Sequence, residues 1–246
     1  MVFNPNSTIT IEDVHGLKCL LIDDAFLNPD ELRQYAKDSR QSGRIGKLRI
    51  GYEIHPTDID RKLPNYKDEL ASTIHKHIGA NICESFGIDE SVVSLKAYKG
   101  PYFNCVGVKE LPSFPPHVDY GHVSTFAYLN LPENCAGGTR LFRHIPTNQI
   151  NVVQKDKSLP WDNSLQRMVN KPLDKPLVES TEEWELVKFF EMKYNRLIAF
   201  NSSTIHKIDL TGAKFTMDID TTRLTLNCFF EYLDADGKPA SERPAN

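Results

Sequence analysis

Long apolar runs are missing from this sequence: nothing in it approaches the roughly 18 consecutive apolar residues that a membrane helix needs. The opening MVFNPNSTIT carries neither an apolar run nor a basic lead, so no signal peptide is expected. Basic blocks are missing too. The net charge is −4, with 29 Lys and Arg against 33 Asp and Glu. That balance disfavours nucleic acid as a partner, because phosphate backbones select a basic face. Paired cysteines are also absent. Cys19, Cys83, Cys105, Cys135 and Cys228 are scattered, odd in number and form no CxxC. Reduced, buried thiols in a cytoplasmic protein are the expectation. No internal repeat and no low-complexity tract is present. What remains is an ordinary globular composition, 40% hydrophobic and 25% charged over 246 residues, enough for one sizeable core.

The pattern changes along the chain. Residues 18–26 (KCLLIDDAF) read as a short buried strand. Asn28 then caps a helix, with Pro29 at its first position and Leu32, Tyr35 and Ala36 as its apolar stripe. A second helix follows Pro64, where Tyr66, Leu70, Ile74 and Ile78 recur on one face. Beyond about residue 90, short segments rich in β-branched and aromatic residues take over: 91–98, 102–108, 124–131, 138–143, 196–201 and 222–231. Serial short strands predict a sandwich or a double-sheet jelly roll. The stretch 145–190 is too long for a turn and is expected to be a lid or binding loop carrying Trp161 and Trp184. Within it, Ser180 or Thr181 is expected to cap a helix through Trp184, Val187 and Phe190. The expected organisation is therefore an N-terminal α/β part over 1–92, a β core over 93–233 that holds the insert, and a polar, disordered tail over 234–246.

The chemistry-bearing residues concentrate in PPHVDYGH, 115–122. On an extended strand alternate side chains share a face, so His117 and Asp119 point the same way. One imidazole and one carboxylate can fill two adjacent corners of a metal octahedron. A second histidine from a distant strand would complete the two-His, one-carboxylate triad of oxygen-activating Fe(II) sites and leave three positions open. Downstream, YNRLIAFNSSTIHKI runs a strand into a polar turn and then His206. TTRLTLNCFFE follows. Period-two alternation puts Arg223, Thr225 and Asn227 on one face and Leu224, Leu226, Cys228 and Phe230 on the other. An arginine on a core-like strand needs an anionic partner, and a bidentate carboxylate suits it best.

The order HxD, then GGTRLF (137–142), then NRLIAF with a following histidine, then an R-x-T strand resembles the Fe(II)/2-oxoglutarate-dependent oxygenases. It looks most like a small bacterial and phage-type branch, over about residues 95–231, and LIDDAFLNPDELRQYA resembles that branch's N-terminal part. The resemblance implies a mainly β (α+β) fold, a double-stranded β-helix with N-terminal helices packed on it. It implies Fe(II), 2-oxoglutarate and O2 as cofactors and cosubstrates, and hydroxylation of an unactivated C–H bond. It carries the metal ligands to His117, Asp119 and His206, the far-carboxylate partner to Arg223, an assisting hydroxyl to Thr225 and a further hydrogen-bond donor to Tyr128. In one respect the chain departs from the pattern. The family's arginine usually follows its histidine sooner; here the gap is seventeen residues, and LTGAKFTMDID is expected to fold as an extended hairpin that restores register.

The other histidines read differently. His75 and His77 lie on the second helix, two residues apart and so not facing each other, which suits surface positions. His122 is a support of the triad, a substrate contact or structural, and His15, His55 and His144 have no nameable partner. Gly137 and Gly138 suit a turn or bulge, and Phe103, Phe126 and Phe229 suit a core. A small polar metabolite, such as a free amino acid or a natural-product intermediate, is the expected substrate. A protein side chain and a metal-free jelly-roll binding module are the alternatives. No nucleic-acid or membrane partner is expected.

Overall fold

A computed structural model describes residues 3–42, 44–48, 51–106, 115–152, 177–214, 216 and 218–240. Its strands form two antiparallel sheets. β1 (Thr8–Val14) and β2 (Leu17–Asp23) are joined by a tight turn whose two residues, His15 and Gly16, both have positive φ, as hairpin twist requires. The exposed, alternating β1 was not expected from the sequence. Helix α1 (Pro29–Ser42) begins at the proline, as the sequence indicates. β3 (Arg44–Leu48), β4 (Gly51–His55), the short α2 (Ile59–Lys62) and α3 (Tyr66–Phe86) follow. The expected stripe of α3 is buried at Tyr66, Leu70, Ile74 and Ile78, and Ile82 extends it. Gly87 ends the helix in the left-handed conformation, its N–H reaching the carbonyls of Cys83 and Glu84. That stripe packs on β2 and on the strand over residues 94–106, together with Leu20, Ile22, Leu226 and Phe230. Each such side chain contributes about 1.5–3 kcal/mol by leaving water.

The rest of the chain is β-rich. β5 (Ser94–Val106) is one strand where two segments were expected, interrupted only by two register shifts, between Asn227 and Phe229 and between Phe229 and Phe230 of the last strand, β11 (Arg223–Leu233). Gly100 sits at that irregularity, where a Cβ would lie 2.6 Å from the Asn227 carbonyl oxygen. β6 (Val123–Tyr128), β7 (Gly138–His144), β8 (Trp184–Glu191), β9 (Leu197–Asn201), β10 (His206–Asp209) and β11 (Arg223–Leu233) complete the set. The eight-stranded sheet runs β1-β2-β9-β6-β11-β5-β4-β3, and the three-stranded sheet runs β10-β7-β8. Residues 1–92 thus supply both outer flanks of the large sheet, whose centre comes from the later strands.

Three expectations are corrected. The helix through Trp184, Val187 and Phe190 is the strand β8, paired along the whole of β7. The Thr181 hydroxyl accepts N–H bonds from Glu183 and Trp184 as a cap would. Sheet pairing overrides that local signal, and Trp184 and Phe190 are buried on β8. The hairpin expected between Leu210 and Asp220 is, among its described residues, a run of turns without strands. The loop is pinned to α1 by Arg33 and Lys37, which bond the Asp220 carboxylate at 2.7 and 2.6 Å. The tail is ordered up to residue 240: Asp234 closes a turn with Lys238, and Ala240 packs on the core. Residues 153–176, including Trp161, fall outside the described residues, so the lid expectation is not addressed there.

Candidate metal centre and its cavity

The centre is built by one pair of backbone hydrogen bonds. His117 N–H donates to the His206 carbonyl and His206 N–H to the His117 carbonyl, each at 2.8 Å. Residues exchanging both bonds stand directly opposite and present their side chains on one face. The short segment at His117 therefore extends the small sheet beside β10 and sets two imidazoles 4.4 Å apart, centroid to centroid. Asp119, two residues on, shares the face. Its N–H is held by the Ser202 carbonyl at 2.9 Å. The opposite flank of β10 is fixed by Gly137 and Gly138, where a Cβ would lie 2.1 Å from the Asp209 carbonyl oxygen and 2.0 Å from that of Phe190. The pair is glycine because neighbouring backbones pass that close.

The ligand atoms of His117, Asp119 and His206 all lie within 4.8 Å of one another, and among the described residues they are the one His, Cys, Asp and Glu group with this property. Both imidazoles approach backbone carbonyls through Nδ1, His117 at 3.3 Å from Pro115 O and His206 at 2.9 Å from Thr204 O. Nδ1 is the donor in each contact, since a carbonyl can only accept, so the neutral ring keeps its lone pair on Nε2. The two Nε2 atoms point at Asp119, at 3.9 Å for His117 and 3.3 Å for His206. The His206 Nε2 is buried and makes no hydrogen bond. Burial would raise the Asp119 pKa, but His206, His117 and the Ser124 hydroxyl outweigh it and hold the carboxyl at about 2. Ser124 Oγ donates to Asp119 Oδ2 at 2.7 Å. Burial first, and then the neighbouring His206, push His117 down to about 4. Near neutral pH the group is one carboxylate and an unprotonated His117 beside His206, a donor set suited to a divalent transition metal.

The three ligands open on a cavity of about 250 Å³ that Arg223, Thr225 and Asn227 also line. The alternation read from the sequence holds, because Leu224, Leu226, Cys228 and Phe230 lie in the core behind. The Asn130 side chain brackets Arg223, accepting from Leu224 N–H at 2.8 Å and donating to the Thr222 carbonyl at 2.7 Å. Arg223 is 5% exposed, its Nε has no hydrogen-bond partner, and no carboxylate pairs with it among the described residues. Burial lowers its pKa, partly offset by Tyr128. Tyr128 lies beneath it, ring centroid 5.4 Å from the guanidinium carbon, with its hydroxyl 2.8 Å from Thr139 Oγ1. Thr225 Oγ1 is buried without a partner. The structure thus brings all six candidates to one cavity or its wall.

Of the other histidines, His55 stands behind the cavity wall against Glu53 and Tyr102. His75 contacts the Tyr232 hydroxyl at 3.2 Å, and His122 accepts the Tyr232 N–H at 3.0 Å against the edge of Phe86. His144 is buried against Trp184. Phe126 and Phe229, expected in the core, line the cavity, whereas Phe103 is core. Sequence reasoning missed Ser124, Glu53, Lys99 and Asn104. A period-two reading of GYEIH would have placed Glu53 and His55 on one face, but not against β5.

Fold and site together define a mainly β protein with a partly buried His-Asp-His cluster able to hold a metal ion. A family model described as a family of unknown function (DUF6445) matches residues 5–230, and the chain belongs to that family. No curated protein matches the chain. No helix among the described residues is long and apolar enough to cross a membrane.

Proposed function

We propose that the chain is an Fe(II)- and 2-oxoglutarate-dependent oxygenase on a double-stranded β-helix, hydroxylating an unactivated C–H bond of a small polar metabolite. The observation that carries this reading is Arg223, a buried cation without a carboxylate partner among the described residues, in the same cavity as the convergent triad. A buried uncompensated charge is costly, so its natural explanation is an anion that arrives with the ligand. Two antiparallel sheets that share one apolar cluster, Tyr128 and Phe200 of the larger with Leu141 and Phe190 of the smaller, and the bridge from the His117 segment to β10 support the jelly-roll assignment.

The residues present fit both absent groups. The triad offers one imidazole lone pair from each histidine and an anionic carboxylate. A divalent ion there would outweigh the single charge of Asp119, and with Arg223 the cavity floor would carry two positive charges, which a dicarboxylate neutralises. Arg223 would hold the far carboxylate, and the Thr225 hydroxyl would find in it the partner it lacks. Bound iron and 2-oxoglutarate supply the O2-dependent oxidising chemistry. The chain's part is to fix the ligand atoms through Pro115, Thr204 and Ser124, and to keep Asp119 ionised as a ligand. Because Asp119 would fill a coordination position, hydroxylation rather than halide transfer is the expected outcome. The test is succinate release from 2-oxoglutarate with Fe(II) and a panel of small polar metabolites, read beside Arg223→Met. Release by the wild type that the variant loses at low 2-oxoglutarate supports the reading; release by neither removes it.

A further inference from the structure

The cavity has a second polar end that the triad and Arg223 do not use. Three adjacent strands form it in register. Glu53 of β4 stands opposite Asn104 of β5, which stands opposite Thr225 of β11; in the neighbouring row Tyr102 of β5 stands opposite Asn227. Lys99 stands opposite Phe229 on the irregular part of the same pairing. All seven line the cavity that His117, Asp119 and His206 share.

The chemistry of this end is one-sided. Asn104 Oδ1 and Asn227 Oδ1 are buried acceptors with no donor among the described residues. Glu53 is a largely buried carboxylate, its side chain 15% exposed. Two aromatic rings, Tyr102 and Phe229, stand 6.3 Å apart beside it. Two orphaned amide oxygens, a carboxylate and aromatic faces together favour a cation that carries N–H groups. The protein already demonstrates that selection. The Lys99 ammonium sits 5.0 Å from the Tyr102 centroid, 5.5 Å from that of Phe229 and 3.9 Å from Glu53 Oε1. Lys99 is weakly held there: its side chain is 50% exposed, and 3.9 Å is beyond hydrogen-bond distance. His55 occupies the other carboxylate oxygen, Nε2 to Oε2 at 3.0 Å, and stacks on Tyr102.

We propose that Glu53, Asn104, Tyr102, Asn227 and Phe229 form a subsite for an alkylammonium group of the substrate, and that Lys99 is its tethered occupant in the substrate-free protein. The inference rests on the oxygenase reading only in taking this cavity as the place where substrate meets the metal. It narrows the substrate to an amine-bearing small molecule whose reacting carbon lies a cavity's width from the ammonium. An incoming ammonium would displace Lys99 toward solvent, where half of its side chain already lies, and would satisfy the orphaned amide oxygens.

The test uses the full chain freed of metal by chelator and dialysis, with n-butylammonium chloride, sodium butyrate and 1-butanol as probes in ligand-observed NMR. Butylammonium is expected to bind saturably and to be preferred over both other probes. Glu53→Gln should weaken its binding tenfold or more. Lys99→Met, which keeps the apolar stem, should tighten it threefold or more by removing the competitor. Preference for butyrate, retained binding in Glu53→Gln, or unchanged or weaker binding in Lys99→Met would overturn the proposal. Circular dichroism of both variants confirms that each is folded, and Asn227→Ala, expected to weaken binding at least threefold, replaces Glu53→Gln if that variant does not fold. No metal is present, so failure here counts against the subsite and not the triad. Butylammonium binding as described by a chain that takes up no iron would instead leave the subsite standing and remove the oxygenase reading.

Discussion

The two faces of β11 are equally buried and differently satisfied. On one face Leu224, Leu226, Cys228 and Phe230 are each 0% exposed and close the core against α3 and β5. On the other, Arg223, Thr225 and Asn227 are 5%, 1% and 4% exposed, yet each holds a polar atom with no partner. Burial without satisfaction costs stability. The first face is arranged for folding. The second keeps hydrogen-bonding capacity that none of the described residues uses, as expected where a functional site departs from the rules that the rest of the chain obeys.

The largest effect that separates the faces is on metal. His117→Ala, Asp119→Ala and His206→Ala should each cut iron affinity by more than about 100-fold, since loss of a supporting contact alone typically costs about 10–100-fold. Iron per folded chain, measured by elemental analysis, checks this, and the same value should be unchanged in Leu226→Ala and in His75→Ala. Stability separates the faces in the opposite direction. Leu226→Ala should lose about 2–5 kcal/mol in urea unfolding, whereas Arg223→Met should lose nothing or gain, because it removes a buried cation that no carboxylate pairs among the described residues. If Arg223→Met proved as destabilising as Leu226→Ala, the second face would be structural.

Smaller effects sharpen the contrast. Arg223→Met should raise the KM for 2-oxoglutarate tenfold or more and leave that for substrate nearly unchanged, since truncating one partner of a buried charge pair costs about 2–5 kcal/mol. Steady-state kinetics with each varied in turn gives the answer. Ser124→Ala should weaken iron binding by about tenfold, through loss of its 2.7 Å bond to Asp119. The smallest effect lies outside the cavity, where an arginine does have its carboxylate. Arg196 bonds Asp23 at 2.6 and 2.9 Å and, as the first cause, lowers the Asp23 pKa. A depressed folded pKa gives stability that is present above the unfolded value of about 3.9 and lost as pH falls through the folded one. Wild type should therefore exceed Asp23→Asn by about 1 kcal/mol near neutral pH, and the difference should vanish in acid unfolding curves.

How much was legible depended on whether one segment carried the whole signal. His117 and Asp119 share a face because a strand alternates. Arg223, Thr225 and Asn227 share theirs for the same reason, and α3 announces itself through Tyr66, Leu70, Ile74 and Ile78. Glu53, Asn104 and Lys99 were invisible because they meet β11 through cross-strand register, which tertiary pairing alone sets. β8 was misread because WELVKFFE satisfies both periods over so short a run, and the pairing with β7 decides. The seventeen-residue gap before Arg223 is accommodated by a loop pinned to Arg33 and Lys37, residues almost two hundred positions away. No local pattern in LTGAKFTMDID encodes that.

The most direct measurement is anaerobic calorimetry of 2-oxoglutarate titrated into the chain with and without Fe(II), beside Asp119→Ala and Arg223→Met. The account predicts one iron and one 2-oxoglutarate per chain, with 2-oxoglutarate binding lost without iron, lost in Asp119→Ala and at least tenfold weaker in Arg223→Met. Binding of 2-oxoglutarate with the same affinity in all four cases, or no binding to the iron-loaded wild type, would contradict it.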